Sequence, residues 1–244
     1  MYSNLHARPN GRISARAASL AFLTLLALPA SAVTVLNHSF EIDVAPTPDG
    51  GFSGPAVTSW TDINSGGDPS TGRGTYNPSE SELTGAGGSG TGVGGDGSTV
   101  FTTYTGNALN AYAGLSQVLP GTTLTAGTVY TMTVAIADYL TNTPANWHLA
   151  ISTSSMAFGS YLNDFSGLGS NLTDGQFKDF SVSYTATGAE GQIGEDLKIT
   201  LWGQNDGTGT HVAFDNVRFT AVPEPSAALL GGLGLLFLAR RRRN

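Results

Sequence analysis

From residue 98 onward the chain is written in short runs in which apolar side chains alternate with hydroxyl-bearing or charged ones. Tyr130, Met132, Val134 and Ile136 share one parity, with Thr131 and Thr133 between them; Leu197, Ile199 and Leu201 alternate with Lys198 and Thr200. Successive side chains of a strand point to opposite faces, so this period of two predicts antiparallel strands with one face on a core. Read along the chain, it predicts strands over Thr34–Phe40, Thr99–Thr105, Ala113–Val118, Val129–Ala137, Trp147–Ser152, Phe177–Tyr184, Leu197–Trp202 and Val212–Thr220. Leu119-Pro120-Gly121-Thr122 and Thr125-Ala126-Gly127-Thr128 are turn clusters. No stretch between the two ends has helical periodicity. The prediction is an all-β, antiparallel β-sandwich of the jelly-roll type. Residues 43–97 break the pattern: they are rich in Gly, Pro, Ser, Asp and Asn, and Thr84–Gly97 has eight glycines in fourteen positions. That segment reads as a Gly-rich, loop-rich insertion.

The two ends read differently. Arg8, Arg12 and Arg16 precede an apolar stretch from Ala17 to Leu28, Pro29 breaks it, and Ala30-Ser31-Ala32 offers small residues. This three-part arrangement predicts a secretory signal peptide over 1–32, removed by signal peptidase after Ala32. The apolar stretch is short for a membrane span, which needs about 17–25 residues. At the other end, Val222-Pro223-Glu224-Pro225 precedes an apolar run from Ala227 to Ala239, which predicts a short hydrophobic helix. Arg240, Arg241, Arg242 and Arg243 follow it. Such a basic cluster stays in the cytoplasm, so the rest of the chain is expected outside.

Val-Pro-Glu-Pro, a short Gly-containing apolar helix and a terminal arginine run resemble the PEP-CTERM sorting signal of Gram-negative bacteria. The resemblance covers residues 222–244. It implies an exosortase-type membrane protease as a partner, transient anchoring in the inner membrane, and delivery to the cell surface or extracellular matrix.

The segment between the signals, 33–221, suits one all-β domain with a sizeable core. Of the eleven basic residues only Arg73, Lys178, Lys198 and Arg218 fall in it, against all eighteen acidic residues but Glu224. So acidic a domain argues against nucleic acid as a partner and favours bound cations such as Ca²⁺. The chain has no cysteine, which removes disulfides, thiol nucleophiles and thiolate metal sites.

Three short motifs in order carry a second resemblance: Asn37-His38-Ser39-Phe40-Glu41, then Gln117-Val118-Leu119 leading to Val129-Tyr130-Thr131, then Phe214-Asp215-Asn216-Val217-Arg218-Phe219. The order resembles the galactose-binding-like jelly rolls found among carbohydrate-binding modules. That resemblance implies that Glu41 and Asp215, on neighbouring first and last strands, help to ligate a structural Ca²⁺. By parity Asp215 shares a face with Val217 and Phe219, so it is expected toward the core, where a bare carboxylate is very unfavourable. Pairing with Arg218, or capping a backbone N–H, satisfies it as well as a metal does.

Trp202 is opposite in parity to Leu197, Ile199 and Leu201, which makes it the first candidate for an exposed sugar-stacking platform, with Trp147 second. His38, His148 and His211 are far apart in sequence and match no zinc spacing. Neither a Gly-x-Ser-x-Gly elbow nor a P-loop is present. The residues therefore predict an exported, non-enzymatic module that binds carbohydrate or acts in adhesion, with extracellular polysaccharide as partner. A structural matrix protein without a discrete ligand and a surface hydrolase are the alternatives.

Overall fold

The computed structural model describes residues 31–43, 51–65, 72–79, 82–83, 95–105, 109–140, 144–205, 207 and 211–224. Most of the expected signal peptide, Pro225, the C-terminal apolar run and Arg240–Arg243 lie outside the described residues. Among the described residues no helix is long and apolar enough to cross a membrane.

Among the described residues, twelve strands form: β1 (Ser31–Val33), β2 (Gly51–Ser53), β3 (Thr61–Asn64), β4 (Gly72–Asn77), β5 (Val100–Tyr104), β6 (Tyr112–Thr123), β7 (Thr128–Ala137), β8 (Asn146–Thr153), β9 (Asn163–Gly167), β10 (Phe177–Thr185), β11 (Asp196–Gln204) and β12 (His211–Pro223). They make two antiparallel sheets. The seven-stranded sheet runs β10-β7-β12-β5-β4-β2, with β1 on the far half of β12; the five-stranded sheet runs β3-β6-β11-β8-β9. The expected sandwich is therefore present. Its core lies between the sheets, where Tyr130, Met132, Val134 and Ile136 of β7 meet Leu197, Ile199 and Leu201 of β11. The period of two placed both sets on the correct face.

Several expectations need correction. Thr34–Phe40 is not a strand: the chain leaves β1 at Val33 and turns, with Asn37 and Phe40 at φ 48° and 59°. The turn drives the Phe40 ring into the core, 5.8 Å from Trp60 and 5.7 Å from Phe101. Residues 43–97 are not only loop, since they supply β2, β3 and β4. All three are short, and β2 and β4 contain glycine, so they carry little readable alternation. The glycine in β4 has a packing reason: a side chain at Gly74 would collide with the Ser53 carbonyl of β2. Leu119–Thr122 does not turn but continues β6. Gly121 adopts φ 77° there, its N–H donates to Asp196 Oδ1 at 3.1 Å, and a register shift opposite absorbs the irregularity.

The most consequential irregularity is in β12. Ala213, Phe214 and Asp215 pair with Ala137, Ile136 and Ala135, but Arg218 pairs with Thr133. Asn216 and Val217 thus stand opposite one residue, a β-bulge, with Asn216 at φ 46°. The bulge reverses parity. Phe214 before it and Val217 after it both reach the main core, whereas Asp215 turns to the outer face of the sheet. There Ala137, Tyr139, Ala213, Val100 and Leu83 form a second apolar cluster, with Tyr76 and Phe177 against it.

Neither candidate tryptophan faces solvent. Trp147 is in the main core, 4.2 Å from the Phe180 ring and 5.4 Å from Phe165. Trp202 does point away from the main core, yet it is only 5 % exposed. His148 stacks on it at 4.5 Å, Phe158 and Tyr161 cover it at 5.3 and 5.5 Å, and opposite it Gly114 packs so closely that a Cβ there would collide with Trp202. The expected exposure of Trp202 is corrected accordingly: residues C-terminal to β8 fold over it. Trp202→Ala is expected to cost roughly 3–5 kcal/mol in a denaturant titration, as for a buried indole. A loss below about 0.5 kcal/mol, the surface value, would show the aromatic cover to be dispensable.

Candidate functional site

The outer face of the seven-stranded sheet carries a cavity lined by aromatic and polar side chains. Its volume is about 400 Å³, and Phe52, Gly72, Tyr76, Glu82, Thr102, Tyr104, Tyr139 and His211 line it. The strand order explains this set. Tyr139 stands two residues past the end of β7, His211 opens β12, Thr102 and Tyr104 come from β5, Gly72 and Tyr76 from β4, and Phe52 from β2. Five neighbouring strands thus contribute, from the row of Gly72, Tyr104 and His211 to that of Tyr76 and Phe52. Tyr104 is in register with His211 on one side and Gly72 on the other. A Cβ on Gly72 would sit in ordinary contact 3.6 Å from the Tyr104 Cβ, so the space beside Tyr104 exists because that position has no longer side chain.

The walls are aromatic. Tyr104 and His211 have ring centres 4.7 Å apart; Tyr139 meets Tyr76 at 5.9 Å and 71°, and His211 at 6.3 Å and 84°. The polar groups differ in state. Burial lowers the His211 pKa, so the imidazole is held neutral. Burial raises the Tyr139 phenol far above its ordinary value; the side chain is buried, with Thr102 beside it and no hydrogen bond of good geometry on its hydroxyl. Glu82 accepts from the Tyr76 hydroxyl at 2.7 and 2.8 Å and from the Ser79 N–H and Oγ at 2.9 and 3.0 Å. Burial opposes its charge, but the Tyr76 and Ser79 hydrogen bonds outweigh it and the Glu82 pKa is lowered. The site thus combines an ionised carboxylate, a neutral imidazole and a phenol that keeps its proton.

Glu41 and Asp215 lie on the same face, farther along β12. Glu41 Oε1 accepts from the N–H groups of Ser98 and Thr99 at 2.7 and 2.6 Å. Asp215 accepts from Asp96 N–H and Asn216 N–H, both at 2.7 Å. The segment around residues 95–99 therefore links the two carboxylates. Arg218 does not serve Asp215; its guanidinium pairs with Asp179. Asp215 is 2 % exposed, and burial pushes its pKa up to about 8. Among the described residues no group of three or more His, Cys, Asp or Glu side chains is gathered for a metal ion. Asp138, another buried carboxylate, is pushed up to about 7 by burial and by Asp174 beside it. Val222 and Pro223 of the sorting motif pair with Val129 and Thr128, and Glu224 N–H donates to Gly127 O.

Tyr104 and Tyr139 are among the aromatics that the sequence offers for sugar stacking, while Phe52, Gly72, Tyr76 and Glu82 fall in the segment expected to be loop. His211, Tyr104 and Tyr139 are far apart along the chain, and only strand order brings them together. The one available signal was the odd-parity set His211, Ala213 and Asp215, which belongs to a second, outward face.

Comparison with known proteins adds to this geometry. The profile described as the PEP-CTERM protein-sorting motif matches residues 221–243, so the C-terminal sorting signal is present. The profile described as HpiC1 cyclase matches residues 31–220. No curated protein sequence matches the chain. Among solved structures, a Stig cyclase, FisC, from Fischerella sp. TAU, in complex with (3Z)-3-(1-methyl-2-pyrrolidinylidene)-3H-indole, is similar with a TM-score of 0.64 and 21 % identity, covering 80 % of this chain and 100 % of that one. A cyclase from the same source, in complex with 4-(1H-indol-3-yl)butan-2-one, gives 0.63 and 21 %, covering 81 % and 100 %. An arabinose-bound α-L-arabinofuranosidase, MgGH51, gives 0.50 and 12 %, covering 79 % of this chain and 26 % of that one. At these identities the structures share the fold. The profile match overturns the expectation of a non-enzyme, which rested on the absence of linear catalytic motifs; a cavity assembled across five strands leaves none. The chain belongs to the HpiC1-like cyclase family.

Proposed function

We propose that this protein is an exported, surface-sorted cyclase-type enzyme whose reaction chamber is the aromatic cavity on the outer face of the seven-stranded sheet. The observation that carries the reading is the meeting, in one cavity of about 400 Å³, of a neutral His211, the buried Tyr139 hydroxyl beside Thr102 and three tyrosine rings. A ring closure that changes no oxidation state needs a flat, dry surface to fold the substrate and groups that move protons. In this chamber Tyr76, Tyr104 and Tyr139 shape the substrate, the Tyr139 O–H donates a hydrogen bond, and the His211 imidazole takes up the proton released. The sorting motif supports delivery to the cell surface after exosortase processing, with a passing inner-membrane stage and release of a mature chain lacking Arg240–Arg243.

The indole ketone held by one Fischerella cyclase gives a probe of suitable size. Titrated into the full chain, 4-(1H-indol-3-yl)butan-2-one is expected to raise the melting temperature and shift tyrosine resonances, and Gly72→Leu, which fills the chamber beside Tyr104, is expected to abolish both effects. Once a substrate is found, His211→Ala is expected to lower turnover by about 10²–10⁴. With the imidazole pKa held below its ordinary value of about 6.5, turnover is expected to hold across neutral pH and to fall only on the acid side of that ordinary value. Probe binding that Gly72→Leu leaves intact would place the chamber elsewhere.

A saccharide is the second reading, favoured by aromatic walls that suit the C–H faces of a sugar ring and by the hydroxyl and carboxylate of Thr102 and Glu82 among them. Binding on a glycan array that Tyr104→Leu removes would support it over the indole-type ligand.

Calcium at Glu41 and Asp215 is proposed as a structural cofactor. The two carboxylates are brought together by one segment, no basic side chain neutralises Asp215, and the domain is acidic. Oxygen donors, including backbone carbonyls, suit the ion. An excess of a hundredfold over Kd would stabilise the fold by about 2.7 kcal/mol. Chelator is therefore expected to lower the melting temperature, and Asp215→Ala to abolish that difference; an identical melting curve with and without chelator would remove the metal.

A further inference from the structure

The chamber's charge and ring geometry say which ligands it favours. On the reading of this cavity as the ligand chamber, we infer that it is a cage for an organic cation of the ammonium class, with Tyr76, Tyr104, Tyr139 and Phe52 as walls and Glu82 as the counter-charge. Tyr76 and Tyr139 meet at 71°, and Tyr139 and His211 at 84°, so the walls form corners and more than one ring can turn its π-face inward. An aromatic face is electron-rich and attracts a cation within about 6 Å of its centre. Phe52, 50 % exposed, stands at the open side.

Three further observations agree. Glu82 is held ionised by the Tyr76 hydroxyl and by Ser79, so the negative charge is fixed before any ligand arrives. No lysine or arginine lines the cavity, and His211, held neutral, does not repel a cation. The surrounding domain has four basic residues against seventeen acidic ones, a field that draws cations toward its clefts. An anionic ligand would meet the charge of Glu82, and a wholly apolar one would leave that charge without a counter-ion.

The test titrates the full chain with choline and with its neutral isostere 3,3-dimethylbutan-1-ol, followed by calorimetry and by the tyrosine resonances. Choline is expected to bind at least about tenfold more tightly than the isostere, since the two differ only in charge. Glu82→Gln keeps an acceptor for the Tyr76 hydroxyl and removes the charge; it is expected to cost choline about tenfold while leaving the isostere unchanged. Tyr104→Leu, which leaves Glu82 in place, is expected to weaken choline as well. Equal affinity for the two probes, or choline binding that Glu82→Gln or Gly72→Leu leaves intact, would overturn the cation cage. A chain that binds the indole ketone in a Gly72-dependent way but not choline keeps the chamber and loses the cage; a chain that binds choline in a Gly72-dependent way but not the indole ketone keeps the cage and redirects the substrate class.

Discussion

The bulge at Asn216 is the constraint on which the rest of the seven-stranded sheet depends. β12 is paired on both sides and must serve two apolar layers, the main core between the sheets and the smaller cluster on the outer face. An unbroken period of two would have turned either Phe214 or Val217 away from the core. One extra residue, held in a left-handed conformation that asparagine tolerates better than most side chains, keeps both inside and turns Asp215 out. His211, Ala213 and Asp215 then share the outward face, so the aromatic chamber and the Glu41–Asp215 pair stand in line along a single strand.

That line separates the two kinds of chemistry on this face. Between the row of Tyr104 and His211 and that of Tyr76 and Phe52, five strands contribute rings around a space kept open by Gly72. Asp215, four residues along β12 from His211, and the nearby Glu41 are tied by backbone N–H groups to a segment rich in glycine. The first level can move against a ligand without disturbing the ladder, because its groups are side chains. The second is built into the backbone of the 95–99 segment, and loss of Asp215 or Glu41 would free main-chain donors. Chamber and carboxylate pair should therefore respond differently to substitution, the one in ligand response and the other in stability.

The fold was largely legible in the sequence, and the site was not. Period-two alternation identified seven strands of the two sheets, because β6, β7, β8, β10 and β11 each bury one face and show it in their side chains. It failed where that physics is absent. β2 and β4 carry glycines needed for close backbone approach, and Phe40 is buried from a turn rather than from a strand. Parity gave Trp202 the correct direction but not its exposure, since direction is a property of the strand and cover comes from residues 154–162. The chamber left no linear trace: His211, Tyr104 and Tyr139 become neighbours only when β7, β12 and β5 lie side by side. Asp215 was correctly singled out as a carboxylate in need of partners, and the bulge that sets its face is invisible to a count of two.

β12 also joins two jobs that are usually separated by a linker. Its first residue lines the chamber, and its last residues already belong to the sorting motif, locked in register against β7. At about 3.3 Å per residue the strand holds His211 roughly 40 Å from Pro223. A chain held through its C-terminal segment would therefore stand with the chamber at the far end of a stiff rod, away from whatever retains it. The length of that one strand would then separate the chamber from the point of retention.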